Sequence, residues 1–210
     1  MSTLKVAFLN LPAPPTALAT QLINCCQQIP LFEEHRIWVD NFHRNEIPVA
    51  AHEYGTKDTV LSAEIQNQIR AVYQKFFPNT VVSAVVGKIK NVLSVPSQSP
   101  PHCDRARYVA INYLLELGGP DVRTVFYKES RPNPDLSSAA NIYHKDVTVD
   151  FKTVIPLHQW HAYDVQHYHS VENIITERYL FSLLLDTNPT FADFRQRYKN
   201  LIDTDHSIQT

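Results

Sequence analysis

The sequence predicts a mainly β protein with flanking helices, and three observations lead to that class. Between residues 81 and 187 the chain is dominated by β-branched and aromatic runs separated by Gly, Pro, Asn and Asp. On either side of this stretch apolar residues recur at helical spacing instead. There are 14 prolines and only 4 glycines, so proline is expected to carry many of the turns. At 210 residues the chain suits a single domain with a full core. Its expected parts are a helical N-terminal part (1–80), a β core (81–187) and a C-terminal helix (190–203).

Thr16 is placed to cap a first helix running to Ile29, with Leu18, Leu22 and Cys25 on one face. Ser62 caps a second, in which Ile65, Ile69, Val72, Tyr73 and Phe76 repeat at helical spacing until Pro78 stops it. Val81 to Val86 and Ile89 to Val95 read as strand, with Gly87 between them as a turn or bulge. Tyr108 to Leu115 is strongly strand-like and closes on Gly118-Gly119-Pro120-Asp121; Arg123 to Tyr127 follows as a second strand. Further β runs are expected around Trp160–Asp164, His169–Val171 and Arg178–Leu185. Asn188-Pro189 breaks the last of these. Thr190 and Asp193 then open a final helix with Phe191, Phe194, Tyr198 and Leu201 as its buried stripe.

The chemistry concentrates in His102-Cys103-Asp104 and, far downstream, His169. On an extended segment residues two apart point to the same side, so His102 and Asp104 are able to bind one metal together. His169 supplies a third ligand if the fold lays its strand alongside. Two imidazoles and one carboxylate on one face of an octahedral metal leave the other positions open, as in non-haem Fe(II) oxygenases.

With Pro100-Pro101 before the pair, the strand runs after it and Arg178 shortly beyond His169, the segment from Pro100 to Asp186 resembles the 2-oxoglutarate (2OG) and Fe(II)-dependent oxygenase superfamily. The resemblance implies a double-stranded β-helix, the jelly-roll, cupin-like barrel, with the early helices buttressing the outer face of its larger sheet. It implies Fe(II), 2OG and O2 as cofactor and cosubstrates, and His102, Asp104 and His169 as metal ligands. Arg178 would hold the far carboxylate of 2OG, brought there by a turn between adjacent antiparallel strands, because a guanidinium binds a carboxylate with two parallel hydrogen bonds. Ser182, on the same face as Arg178, and Asn112 are the further expected 2OG contacts. Many relatives carry the Ser two positions after the Arg, where this chain has Leu180. Asp104 stands where halogenating relatives have Gly or Ala, so the implied reaction is hydroxylation, or desaturation or demethylation. Expected partners are a small-molecule or amino-acid substrate.

The remaining residues have plainer readings. His167 shares the parity of His169 and is the alternative third ligand. His158 and His161 read as surface or pocket-rim residues, Cys103 as core, and Asn173 as a turn residue. Arg105, Arg107 and Arg131 surround the expected mouth, either attracting an anionic substrate or solvated. Lys128 to Asp146, with Pro132, Pro134 and Ser137-Ser138, reads as a long surface insertion and a candidate lid. A cupin-type metalloenzyme that does not use 2OG would need no Arg178, although the Gly-rich His-x-His motif of cupins is absent. A non-catalytic binding barrel is the third class. The net charge of −2 gives no argument for nucleic acid, and no run approaches about 20 apolar residues. Three cysteines, two of them adjacent, and a poor signal peptide fit a reduced, cytoplasmic protein.

Overall fold

The computed structural model describes residues 4–29, 51–55, 61–91, 95–104, 106–131, 140–141 and 146–209. The chain opens on β1 (Leu4–Leu9) and helix α1 (Thr16–Gln28), followed by β2 (Ala51–Gly55) and helix α2 (Ala63–Tyr73). The β core then runs β3 (Val82–Lys90), β4 (His102–Cys103), β5 (Val109–Leu117) and β6 (Arg123–Ser130). It continues with β7 (Ala140–Asn141), β8 (Val149–Thr153), β9 (Trp160–Asp164), β10 (His167–Glu172) and β11 (Glu177–Leu185). Helix α3 (Phe191–Arg197) and β12 (Ile202–Gln209) complete it.

Two antiparallel sheets result, a seven-stranded one in the order β12-β1-β9-β5-β11-β3-β2 and a five-stranded one in the order β7-β4-β10-β6-β8. From β3 to β6 and again from β8 to β11 the chain steps from one sheet to the other at every connection. This winding is the jelly-roll of a double-stranded β-helix. Among the described residues no hydrogen-bonded strand pair joins the sheets, so the architecture is an open sandwich and not the closed barrel expected.

Alternation along the strands divides the interior into two zones. On β11, Phe181, Leu183 and Leu185 face the helices, whereas Arg178, Leu180 and Ser182 face the smaller sheet. The helix side is the larger core. Leu22, Ile69, Tyr73 and Phe194 pack there on Trp160 and Phe181, and Tyr73 meets Trp160 edge-on at 5.1 Å. Pro12 O accepts from both Trp160 Nε1 (2.9 Å) and the Tyr73 hydroxyl (3.2 Å), which ties the start of α1 to the sheet. The helices thus buttress the outer face of the larger sheet, as the sequence led us to expect. The space between the sheets holds two smaller apolar clusters and is where polar side chains converge, while Cys103, Val125, Tyr127 and Tyr168 pack on the other face of the smaller sheet.

Several boundaries differ from expectation, each for a local reason. Ser62 does cap α2 by accepting from Ile65 N, whereas Thr16 begins α1 behind Pro15 and provides no side-chain cap. Gly87 is neither turn nor bulge, because β3 pairs with β11 in unbroken register from Lys90 to Val82. The N-terminal part is not helical throughout: β1 is the second strand of the larger sheet, between β12 and β9, and β2 forms the opposite edge. The last helix ends at Arg197, not residue 203, because Phe191, Phe194 and Tyr198 already bury its apolar stripe. A short 3-10 turn then leads into β12, which pairs with β1. Thr190 caps this helix as expected, accepting from Asp193 N and donating to the Asp193 carboxylate. None of the described helices is long and apolar enough to cross a membrane, and Cys25, Cys26 and Cys103 are not joined in disulfides.

Candidate metal centre

Strands β4 and β10 lie side by side with His102 directly opposite His169, and their rings are 4.5 Å apart. Cross-strand partners on one face are each other's nearest side chains, so the pairing alone brings these imidazoles together. Asp104, one residue past β4, is held by its N–H to Val165 O at 3.2 Å. Ligand-type atoms of His102, Asp104 and His169 all lie within 4.8 Å of one another.

Hydrogen bonds fix which atoms face inward. Nδ1 of His102 meets Pro100 O at 2.8 Å, and Nδ1 of His169 meets His167 O at 3.1 Å. With a proton on each Nδ1, each Nε2 presents its lone pair as a metal ligand. These Nε2 atoms sit 3.6 and 3.7 Å from the same oxygen, Oδ1 of Asp104. The other oxygen, Oδ2, accepts from Arg107 Nε at 2.8 Å and lies 2.6 Å from its second nitrogen. Burial alone would raise the Asp104 carboxyl, but Arg107 and the two imidazoles outweigh it and hold it well below the usual range. Burial, with His102 alongside, lowers His169 to about 4. Imidazole nitrogens and a carboxylate oxygen converging on one point are donors for a divalent metal, so this set fits Fe(II) or a similar ion. His167 is outside the cluster and contributes only its carbonyl. Cys103 points away, its Sγ donating to Gln166 O among Val125, Tyr127 and Tyr168.

A pocket of about 410 Å3, counting its open mouth, extends from His102 and His169 between the sheets. Its polar wall is Asn112, Thr124, His161, Tyr163 and Arg178, set among apolar side chains such as Ile89 and Leu180. Arg178 is 4% exposed and donates to Leu117 O at 3.0 Å. Among the described residues no carboxylate lies within 4 Å of it. The two acids near it in sequence are engaged elsewhere, Glu177 by Lys88, Lys90 and Tyr179, and Asp186 by Thr80 and Val81 N. Loss of water lowers Arg178 to about 10, against the partial support of Tyr163. It remains a buried cation facing a cavity.

The connection that delivers Arg178 is not the turn between adjacent strands that we expected. It crosses from β10 in the smaller sheet to β11 in the larger. Gly118, at φ +85°, accepts from Ile175 N and Thr176 N there, and a Cβ on it would stand 2.9 Å from Cβ of Arg178. Only glycine lets the end of β5 approach so closely. Ser182 is fully buried, its hydroxyl donating to Asn112 Oδ1 at 2.5 Å, and Asn112 in turn reaches Tyr163 at 3.4 Å. Asn112 therefore stands at the pocket wall with Ser182 behind it.

Four residues acquire a place that the sequence did not suggest. His161 is not at the rim but buried in the pocket wall, where burial lowers it to about 3. Tyr163 shares its face, as alternation within Trp160–Asp164 would have indicated. Arg107 grips Asp104 rather than lining a mouth, and Arg131 donates to Asp104 O at 3.1 Å from behind. Arg105 lies outside the described residues, as does most of the candidate lid. His158 is exposed and stacked on Tyr113, and Asn173 is a turn residue at φ +62° bonded to Asp121 O.

The two buried imidazoles make the metal-free protein acid-sensitive. His161 and His169 stay neutral when folded down to about 3 and about 4, but take a proton near 6.5 when unfolded. Their depressed values leave stability intact above about 6.5 and erode it as pH falls towards 4, because the unfolded chain then binds more protons. Urea unfolding of the metal-free protein should give a stability lower at pH 5 than at pH 7 by on the order of 2–4 kcal/mol. A His161→Gln variant should lose about half of that dependence.

No family model and no curated protein matches the chain. Among solved structures, it resembles AviO1 from Streptomyces viridochromogenes Tue57 (12% identity, 88% of this chain and 92% of that one, TM-score 0.49). It also resembles a prolyl hydroxylase from Trichoplax adhaerens in complex with a hypoxia inducible factor peptide (10%, 87% and 84%, TM-score 0.47). A third is a Pseudomonas putida prolyl-4-hydroxylase (12%, 87% and 92%, TM-score 0.42). Identities this low carry no residue role over to this chain.

Proposed function

We propose that the chain is an Fe(II)- and 2OG-dependent oxygenase that hydroxylates a small molecule or an amino-acid residue. The observation that carries this reading is that the pocket lined by His102 and His169 of the His102–Asp104–His169 cluster also holds a buried arginine with no carboxylate within 4 Å among the described residues. A metal centre without 2OG would have no use for Arg178, and a buried cation is costly to keep unless an anion arrives. A dicarboxylate whose other end chelates the metal supplies that anion.

In this reading His102 and His169 bind the metal through Nε2 and Asp104 through Oδ1. Arg178 receives the far carboxylate and Asn112, steadied by Ser182, offers its amide to the same ligand. Ile89 and Leu180 keep water from the charged contacts, which strengthens them. Iron and 2OG, when bound, would supply the oxidising chemistry, with one oxygen atom of O2 going to 2OG, which becomes succinate and CO2, and the other to the substrate. The protein contributes position and dryness.

The test is succinate release from 2OG with Fe(II) under air, against a panel of free amino acids, prolyl peptides and small metabolites. We expect turnover above that of an Asp104→Ala control, stimulated by at least one member of the panel. Iron binding with no 2OG consumption by any member would instead indicate a cupin-type metalloenzyme.

A further inference from the structure

The geometry points to Arg107 as a positioning residue of the metal centre, which holds Oδ2 of Asp104 so that only Oδ1 is presented to the ion. This inference rests on the cluster being a metal site. Asp104 and Arg107 are 7% and 9% exposed, so the pair is desolvated and its contacts are little screened. Both guanidinium contacts, at 2.8 and 2.6 Å, go to Oδ2, while both imidazole Nε2 atoms face Oδ1. The two oxygens are thereby given different work.

The chain is bent to make this possible. Between the partners Ala106 adopts φ +63°, a left-handed conformation that costs a residue with a Cβ roughly 1–2 kcal/mol. That reversal returns Arg107 to the carboxylate three residues earlier. Its main chain is secured in turn, since Gln166 Nε2 donates to Arg107 O at 2.8 Å. Gln166 sits in the β9–β10 turn, beside the Val165 carbonyl that accepts from Asp104 N. One turn therefore anchors the ligand and the residue that orients it.

A carboxylate locked in this way has no freedom to turn about its own bond or to chelate the ion with both oxygens. A metal would meet three donor atoms already in place. Without Arg107 the carboxylate has to be ordered at the moment of binding, and its second oxygen loses both guanidinium contacts. Disturbing a group that orients a metal ligand typically costs 10–100-fold in affinity.

The experiment is Mn(II) titration of wild type, Arg107→Met, Arg107→Lys and Asp104→Ala, read by the EPR signal of the free ion, with Co(II) absorption as the report of ligand geometry. Arg107→Met should bind Mn(II) roughly 10–100-fold more weakly and show an altered Co(II) spectrum. Arg107→Lys keeps the charge but not the two-pronged contact; it should fold, bind more weakly than wild type and also alter the spectrum. A purely structural arginine would lower the melting temperature of both variants while leaving Kd and spectrum alone. Unchanged or tighter Mn(II) binding with a wild-type Co(II) spectrum, in whichever variant folds, would overturn the assignment. Wild-type affinity in Asp104→Ala would instead refute the metal site itself, so the two failures are distinct.

Discussion

Replacing Arg178 by Leu should weaken 2OG binding by about 30-fold to several thousandfold, the range corresponding to the ~2–5 kcal/mol that truncating one side of a buried charged hydrogen-bonded pair typically costs. Iron or Mn(II) affinity should stay at its wild-type value, since Arg178 touches neither imidazole pair nor Asp104. The same change has a second, opposite expected effect. In the absence of 2OG, Arg178 is a desolvated cation whose assigned contact is the carbonyl of Leu117, and apolar replacements of uncompensated buried charge are often neutral or stabilising. Arg178→Leu should therefore melt at or above the temperature of the ligand-free wild type while losing the stabilisation that added 2OG gives. Isothermal titration and thermal melts with and without 2OG read both effects. Unchanged 2OG affinity would make Arg178 structural and leave the pocket without its anion site.

Removing the Asp104 carboxylate should weaken metal binding by more than about a hundredfold, because altering a group behind a ligand already costs 10–100-fold and here the ligand itself is lost. Its position gives it a double role. Oδ1 completes the set with His102 and His169, and Oδ2 neutralises Arg107. Asp104→Ala leaves that guanidinium buried without its carboxylate, a situation that typically costs ~3–5 kcal/mol. Asp104→Asn keeps the shape and a neutral acceptor for Arg107, and it separates loss of the charged ligand from loss of fold. Both variants should fail to retain Mn(II) on dialysis, and Asp104→Asn should keep the wild-type circular dichroism.

The strand-dominated middle of the chain was legible because alternation and β-branching repeat over long runs, and α2 because Ser62 and its apolar spacing agree. The His102–Asp104 pair was legible because an i, i+2 spacing has one geometric meaning on an extended segment. His169 was legible only through a family pattern, since nothing local says that β10 lies against β4. The edge strands were not. The β2 segment, Ala51–Gly55, carries no alternating signal, and β12 is a polar strand whose partner, β1, lies at the other end of the chain. Arg107 was hidden for a different reason. Its contact with Asp104 depends on the left-handed turn at Ala106, and a conformation that alanine rarely adopts leaves no trace in composition or spacing.

The most direct measurement of the central claim is a crystal structure of the protein grown anaerobically with Mn(II) and 2OG. One ion is expected there, bound by His102 Nε2, His169 Nε2 and Oδ1 of Asp104, with the distal carboxylate of 2OG on Arg178. An ion held through His167, or a 2OG carboxylate seated away from Arg178, would contradict it.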